Sequence, residues 1–163
     1  MTIRLITIDD EFFKRSASGT VWGRVYFETG GQFFPDSGWT DMVVPFSSAW
    51  LEALIQIASG STDKETVWFM DGPFRVHLTM TSSGLLEIAF VHKEAVKKSV
   101  TTTIEELLED AVSVGKQLLT ICKERGWPNS DNDVKVLMTA TEQGIKTLEK
   151  VRRRRKLGDI HDK

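Results

Sequence analysis

The residues of this sequence best placed for chemistry lie in two aromatic segments. Phe33-Phe34-Pro35-Asp36-Ser37-Gly38-Trp39-Thr40-Asp41 crowds three aromatic rings, a proline and two carboxylates into nine residues. Downstream, Trp68-Phe69-Met70-Asp71-Gly72-Pro73-Phe74 sets a further carboxylate in a tight turn. Carboxylates fixed beside aromatic side chains suit a protein-contact surface facing a basic partner, the rings supplying anchoring area and the charge supplying steering. Asp36, Trp39, Asp41 and Asp71 are therefore the candidate partner-binding residues. A second chemistry is open to Asp41 and Asp71: if the fold brings them together in a pocket, they form the general acid and base of a small hydrolase. A third reading is purely structural. Asp36 and Asp71 are good turn formers, Asp71-Gly72-Pro73 reads as a turn or bulge, and Trp39 and Trp50 fill a core.

Other reactive groups are sparse. The histidines are His77, His92 and His161. Simple alternation puts His77 and His92 on opposite faces of a proposed hairpin, and a stable metal site usually needs three or four protein ligands, so no metal site is expected. Ser47-Ser48 and Ser82-Ser83 have duties as helix cap and turn, there is no G-x-S-x-G elbow, and Cys122 lies on the apolar stripe of a helix, where a thiol is inert core. With no phosphate-cradling glycine loop either, no catalytic residue and no cofactor are assigned. The run Arg152-Arg153-Arg154-Arg155-Lys156 is the alternative site: it could hold phosphates, an acidic partner or an anionic lipid surface, or it could be a solvated helix end whose cations favour the negative pole of the helix dipole.

Charge narrows the partner class. Of the 21 Lys and Arg and 23 Asp and Glu, residues 1–150 hold 15 and 21, while residues 151–163 hold 6 and 2. The body is thus acidic and the end basic. An acidic body argues against a dedicated nucleic-acid domain, because phosphate binding needs a positive surface spread over the fold. Hydrophobic residues at 40% are enough for one core in 163 residues,. No apolar run reaches the roughly 20 residues of a membrane helix, the first residues do not read as a signal peptide, and one cysteine excludes an intrachain disulfide. The expectation is a cytoplasmic protein that does not engage the membrane.

The elements that must position these residues follow from periodicity. Val21–Glu28 alternates as a strand, Gly30-Gly31 supplies a tight turn, and Gln32–Phe34 returns as a short strand. Ile3–Ile8 reads as a further strand, and Asp41–Phe46 as a short apolar one with Pro45 at its edge. A helix capped by Ser47 or Ser48 carries Trp50, Leu51, Leu54 and Ile57 at helical spacing and stops at Gly60. Strands follow over 66–70, 74–80 and 85–92, the last two joined as a hairpin through Thr81-Ser82-Ser83-Gly84. Thr102 with Glu105 and Thr103 with Glu106 match capping-box spacing before a helix ended by Gly126 and Pro128, and a second amphipathic helix runs from Val134 to Val151. The fold class is α+β: a mainly antiparallel sheet with one central helix and two C-terminal helices packed on one face. Residues 1–150 form the single domain and residues 151–163 a basic C-terminal tail.

The segment Phe34–Val44, then Trp50-Leu51, then Phe69–Phe74, resembles a group of small bacterial proteins with an F-P-x-x-x-W-x-D segment, a tryptophan-bearing helix and a D-G-P strand entry. That group is associated with immunity proteins of polymorphic-toxin or contact-dependent inhibition systems. The resemblance spans about residues 20–125. The group's helix carries paired tryptophans where this chain has Ala49 before Trp50. It implies a binder that neutralises a cognate toxin, with no catalytic residues to carry over. The expected function is therefore non-enzymatic protein binding, with the tail-mediated nucleic-acid reading and the carboxylate-pair hydrolase as alternatives.

Overall fold

The structure, a computed structural model, describes residues 2–7, 10–127 and 132–161. It confirms the α+β class: among the described residues, ten short strands, all paired antiparallel, and three α-helices are built around one hydrophobic core. β1 (Ile3–Ile6), β4 (Tyr26–Thr29) and β5 (Gln32–Phe34) form one sheet in the order β1-β4-β5, and β2 (Lys14–Arg15), β3 (Val21–Arg24) and β6 (Thr40–Asp41) a second in the order β2-β3-β6. The stretch expected as a single strand over 21–28 is divided because its partners change. Gly23 and Arg24 pair with β6, the Val25 N–H donates to the Trp39 carbonyl, and Tyr26 onward pairs with β1. Ile8 of the expected first strand lies outside the described residues.

The third sheet has four strands in the order β10-β9-β8-β7: β7 (Lys64–Trp68), β8 (Phe74–Met80), β9 (Leu86–His92) and β10 (Ala95–Thr102). The β8–β9 hairpin has the expected alternation. Val76, Leu78, Leu86, Ile88 and Phe90 are buried on the helix side, while Arg75, His77 and Thr79 lie on the other face. β10 was not anticipated. It pairs with β9 across a bulge between Val96 and Lys98, and only Val100 and Thr102 of its residues are buried.

The expected strand over 41–46 is corrected. Only Thr40–Asp41 is extended, and α1 (Val43–Ala58) begins immediately after it. An apolar run of this length serves a buried strand and a buried helix equally well, and Pro45 fits the first helical turn, where no N–H is required. Ser47 and Ser48 are accordingly not caps. Both are buried inside the helix, and the Ser48 hydroxyl donates to the Val44 carbonyl at 3.1 Å. The N-cap position is Met42, without a side-chain cap bond. At the other end Ser59 closes the helix and Gly60 follows with φ of 76°, a left-handed conformation that suits glycine,.

α2 (Ile104–Glu124) starts as its sequence requires. Thr103 is the N-cap and its hydroxyl accepts from the Glu106 N–H, while Thr102 donates to the Glu106 carboxylate. α3 runs from Asn132 to His161, so the basic stretch is a continuation of this helix rather than a separate tail. Pro128 and residues 129–131 of the loop and cap expected over 129–132 lie outside the described residues. The three helices pack on one another, α1 lying also against β7 and β3 and α2 against β1. Two glycines permit that approach: a Cβ on Gly115 would lie 2.5 Å from the Thr141 hydroxyl, and one on Gly144 3.0 Å from Val112.

Candidate functional site

The two aromatic segments of the sequence meet through Asp41. Its carboxylate is fully buried and collects three donors: the Met42 N–H at 2.7 Å, the Asp71 N–H at 3.1 Å and the Trp39 indole N–H at 3.3 Å. One side chain thus fixes the entry to α1, the ring of Trp39 and the turn between β7 and β8. Trp39 is half-buried and meets Phe74 edge-on with ring centroids 4.9 Å apart. The close fit continues at Gly72, whose φ of 71° requires glycine and where a Cβ would lie 2.8 Å from the Phe74 ring and 3.3 Å from Trp39.

This arrangement sorts the candidate residues. Asp36 and Asp71 are exposed and free to meet a partner. Asp36 also accepts from the Ser37 N–H at 2.8 Å, as a turn residue does,. Trp39 offers one part of its ring. Asp41 is corrected from contact residue to internal brace, because a carboxylate with no exposed surface touches no partner. Asp41 and Asp71 do come together, but through the Asp71 backbone N–H, so the geometry is a hydrogen-bonded joint and not a carboxyl pair. Asp41 has no exposed surface, so a substrate cannot reach its oxygens to give up a proton,.

The residues that sequence reasoning missed lie one strand away. Val67 points into the core, so period-2 alternation turns Trp68, the last residue of β7, outward, and Met70 in the turn beyond is also exposed; they are 51% and 48% exposed. Trp68 is not loose. The Arg75 guanidinium sits 4.9 Å from its ring, and Arg75 in turn donates to His77 Nε2 at 3.1 Å and to the Lys93 carbonyl, and pairs with Glu94 at 3.4 Å. Since His77 Nε2 accepts from arginine, Nδ1 is the donor to the Thr66 hydroxyl, 2.8 Å away,. An aromatic ring held in place yet half exposed has a low entropic cost of binding. The signal for it was present in the sequence as alternation against Val67 and Phe69.

β7 is the outer strand of its sheet. Beside it, on the helix side, a groove of about 430 Å³ runs between β7 and α1, with Ala49 and Ala53 on its floor and Glu52, Gln56 and Glu65 on its walls. A second groove of about 470 Å³ continues from Glu52, Ile55 and Gln56 of α1 across to α3, where Val136 and Ala140 line it.

The remaining candidates are placed as follows. Arg152 pairs with Glu105 at 3.2 Å and with Glu109 at 2.9 Å, and Arg155 pairs with Glu105 at 2.8 Å. Bonding to Glu105 holds the Arg152 guanidinium above its ordinary pKa despite some desolvation, with Glu109 contributing further. Arg153 pairs with Glu149 at 3.7 Å, Arg154 approaches the Ala58 carbonyl at 3.5 Å, and Lys156 is exposed. Much of the positive charge of this run is therefore used to dock the end of α3 against α2. His92 stacks on Phe74 at 4.6 Å while His77 faces Ala89 in the register, which puts the two on different faces. Cys122 is buried. Among the described residues no group of three or more His, Cys, Asp or Glu is arranged to hold a metal ion, and no helix is long and apolar enough to cross a membrane. Comparison of the chain with protein-family models, with curated proteins and with solved structures returns no match.

Proposed function

We propose that this chain is a non-enzymatic protein-binding domain, acting in the cytoplasm as an immunity factor that neutralises a toxin, and that the β7 edge with the adjoining turn is its contact face. The observation that carries the reading is the pair Trp68 and Met70. Both are half exposed, Trp68 as the last residue of an outer strand and Met70 in the turn beyond it, and they sit beside exposed Asp71 on a frame that Asp41 braces from within. Large apolar side chains ringed by polar groups are the anchors of protein interfaces, and Trp is the strongest of them. The acidic balance of residues 1–150 favours a basic partner,. The resemblance to toxin-immunity proteins points to the same class, and a single buried cysteine suits a reducing compartment,.

The test is affinity purification from cells of the source organism that express the cognate partner, comparing the wild-type chain with the W68S/M70S variant and with a control changed at exposed Lys156. A stoichiometric protein that resists nuclease treatment, is retained by wild type and control, and is lost with W68S/M70S supports the proposal. Equal retention by all three removes this face from the interface. Recovery of nucleic acid lost only with changes at residues 152–156 favours the tail reading instead.

A further inference from the structure

The ladder between β7 and β8 shows which backbone groups remain to be satisfied. The Met80 N–H donates to the Asp63 carbonyl and the Phe69 N–H to the Phe74 carbonyl. These two bonds, at opposite ends of the pair, make the odd-numbered residues of β7 the ones bonded to β8. By the two-residue repeat of an antiparallel ladder, the N–H and C=O groups of Lys64, Thr66 and Trp68 point away from β8. Those of Lys64 are met by the Thr62 hydroxyl, at 3.1 and 2.8 Å. Thr66 and Trp68 face the open edge, and among the described residues no hydrogen bond covers their backbones there.

The two outer strands of this sheet are treated differently. β10 carries a bulge and Lys97 and Lys98, and Lys98 reaches across to the Thr29 carbonyl at 3.0 Å and to Gln32 at 2.9 Å. Bulges and lysines are the usual guards of an edge. β7 has no bulge in its register with β8, no proline, and one lysine at its first position. It is the unguarded edge.

Resting on the protein-binding reading above, we infer that β7 is a docking strand, and that its occupant is an extended segment of the partner with lysine or arginine at alternate positions. A strand added to β7 would bond to the Thr66 and Trp68 backbones, which is the main-chain part of recognition by strand addition. Its side chains would then alternate between two environments. Those on the far face lie beside Thr66 and Trp68, where the indole receives an aliphatic or β-branched group. Those on the helix face drop into the groove walled by Glu52 and Glu65, whose carboxylates have no ion pair or hydrogen bond among the described residues. Asp63 and Asp71, both exposed, stand at either end of the strand. The stem of a lysine or arginine packs on Ala49 and Ala53 while its head group reaches the two glutamates. A second copy of this chain is the disfavoured occupant, because pairing two β7 edges would bring two sets of Glu52 and Glu65 together, a like-charge juxtaposition.

The experiment uses the intact chain and two acetylated, amidated peptides, one alternating lysine with threonine and valine, the other its twin with glutamate replacing lysine. Amide hydrogen exchange at Thr66 and Trp68 is followed with each peptide, and affinity is measured by isothermal titration. The lysine peptide is expected to slow exchange at both amides by about tenfold or more near saturation, and E52Q/E65Q to weaken its binding about five- to tenfold without altering thermal unfolding. Equal protection by the two peptides, or binding indifferent to E52Q/E65Q, would overturn the assigned chemistry. Protection by neither peptide overturns strand docking, and protection that rises with protein concentration alone assigns the edge to a second copy. Any of these can occur while W68S/M70S still loses a captured partner, so failure here and failure of the protein-binding reading are separable.

Discussion

Replacing Asp41 by alanine tests whether one buried carboxylate assembles the contact face. The substitution removes the acceptor for three N–H groups, those of Met42, Asp71 and the Trp39 indole. A donor left unsatisfied in a buried place costs about 1–3 kcal/mol. Asp71 is exposed and Trp39 half-buried, so two of the three donors regain water once the turn loosens, and only the Met42 bond is lost at close to full cost. The expected loss is therefore about 3 kcal/mol. With a urea slope of about 2 kcal/mol/M, the unfolding midpoint falls by about 1.5 M. D41N keeps the shape and one acceptor but turns an amide N–H toward donors, and is expected to cost about 1–2 kcal/mol. The assay is urea unfolding followed by tryptophan fluorescence, together with hydrogen exchange at the Asp71 amide, which should accelerate in both variants. An Asp41→Ala midpoint within 0.2 M of wild type, roughly 0.4 kcal/mol on that slope, would refute the brace.

Further outcomes follow from single contacts. Gly115→Ala forces a methyl group onto the Thr141 hydroxyl at the α2–α3 crossing and is expected to cost about 1–3 kcal/mol by the same urea assay, whereas alanine at exposed Gly158, with open space around its Cβ position, should cost less than about 0.5 kcal/mol,. Asp110 accepts from the Leu5 N–H at 2.8 Å, and burial pushes its carboxyl above the ordinary range against the lowering effects of that bond and of Arg4. Because the folded state then binds this proton more tightly than the unfolded chain, the stability linked to it is present at low pH and is lost as pH rises through the raised folded pKa. Asp110→Asn, which keeps an acceptor for Leu5, should remove that dependence and leave stability at neutral pH equal or higher; an unchanged pH profile argues against the cause given. Glu105→Gln should remove the ion pair of Arg155 and one of the two of Arg152 and speed amide exchange over the last turns of α3, with little change in the global unfolding midpoint, since surface ion pairs contribute about 0–1 kcal/mol each,.

Sequence patterning carried the fold where a local rule had a single solution. Thr103 and Glu106 mark a helix start because hydroxyl and carboxylate at that spacing serve the same free N–H groups, and the 81–84 turn joins two strands of clear alternation. It failed where two solutions were equally local. Met42-Val43-Val44-Pro45-Phe46 suits a strand by composition and a buried first helical turn by burial, and tertiary packing against Phe27 and Phe69 decides for the helix. β10 was hidden because its turn places Lys93 at φ 55° where glycine or asparagine would have signalled a hairpin, and because few of its side chains are buried. The site was half legible. Composition drew attention to Asp41 and Asp71, but whether a carboxylate faces solvent or collects N–H groups is fixed by contacts 30 residues apart in sequence. Trp68 was visible only as the outward phase of a strand whose edge position depends on the whole sheet order, and Met70 only as a residue of the turn beyond it.

The central claim is that partner recognition takes place at the β7 edge, and photo-crosslinking reads it most directly. A benzophenone amino acid is placed at position 68 in one sample and at exposed position 157, beside the basic run, in another. Both are irradiated in cells expressing the partner and treated with nuclease before separation. The account predicts a discrete protein adduct from position 68 and none from position 157. An adduct from position 157 alone, or one whose mass shifts on nuclease treatment, would contradict it and move the contact face to the end of α3.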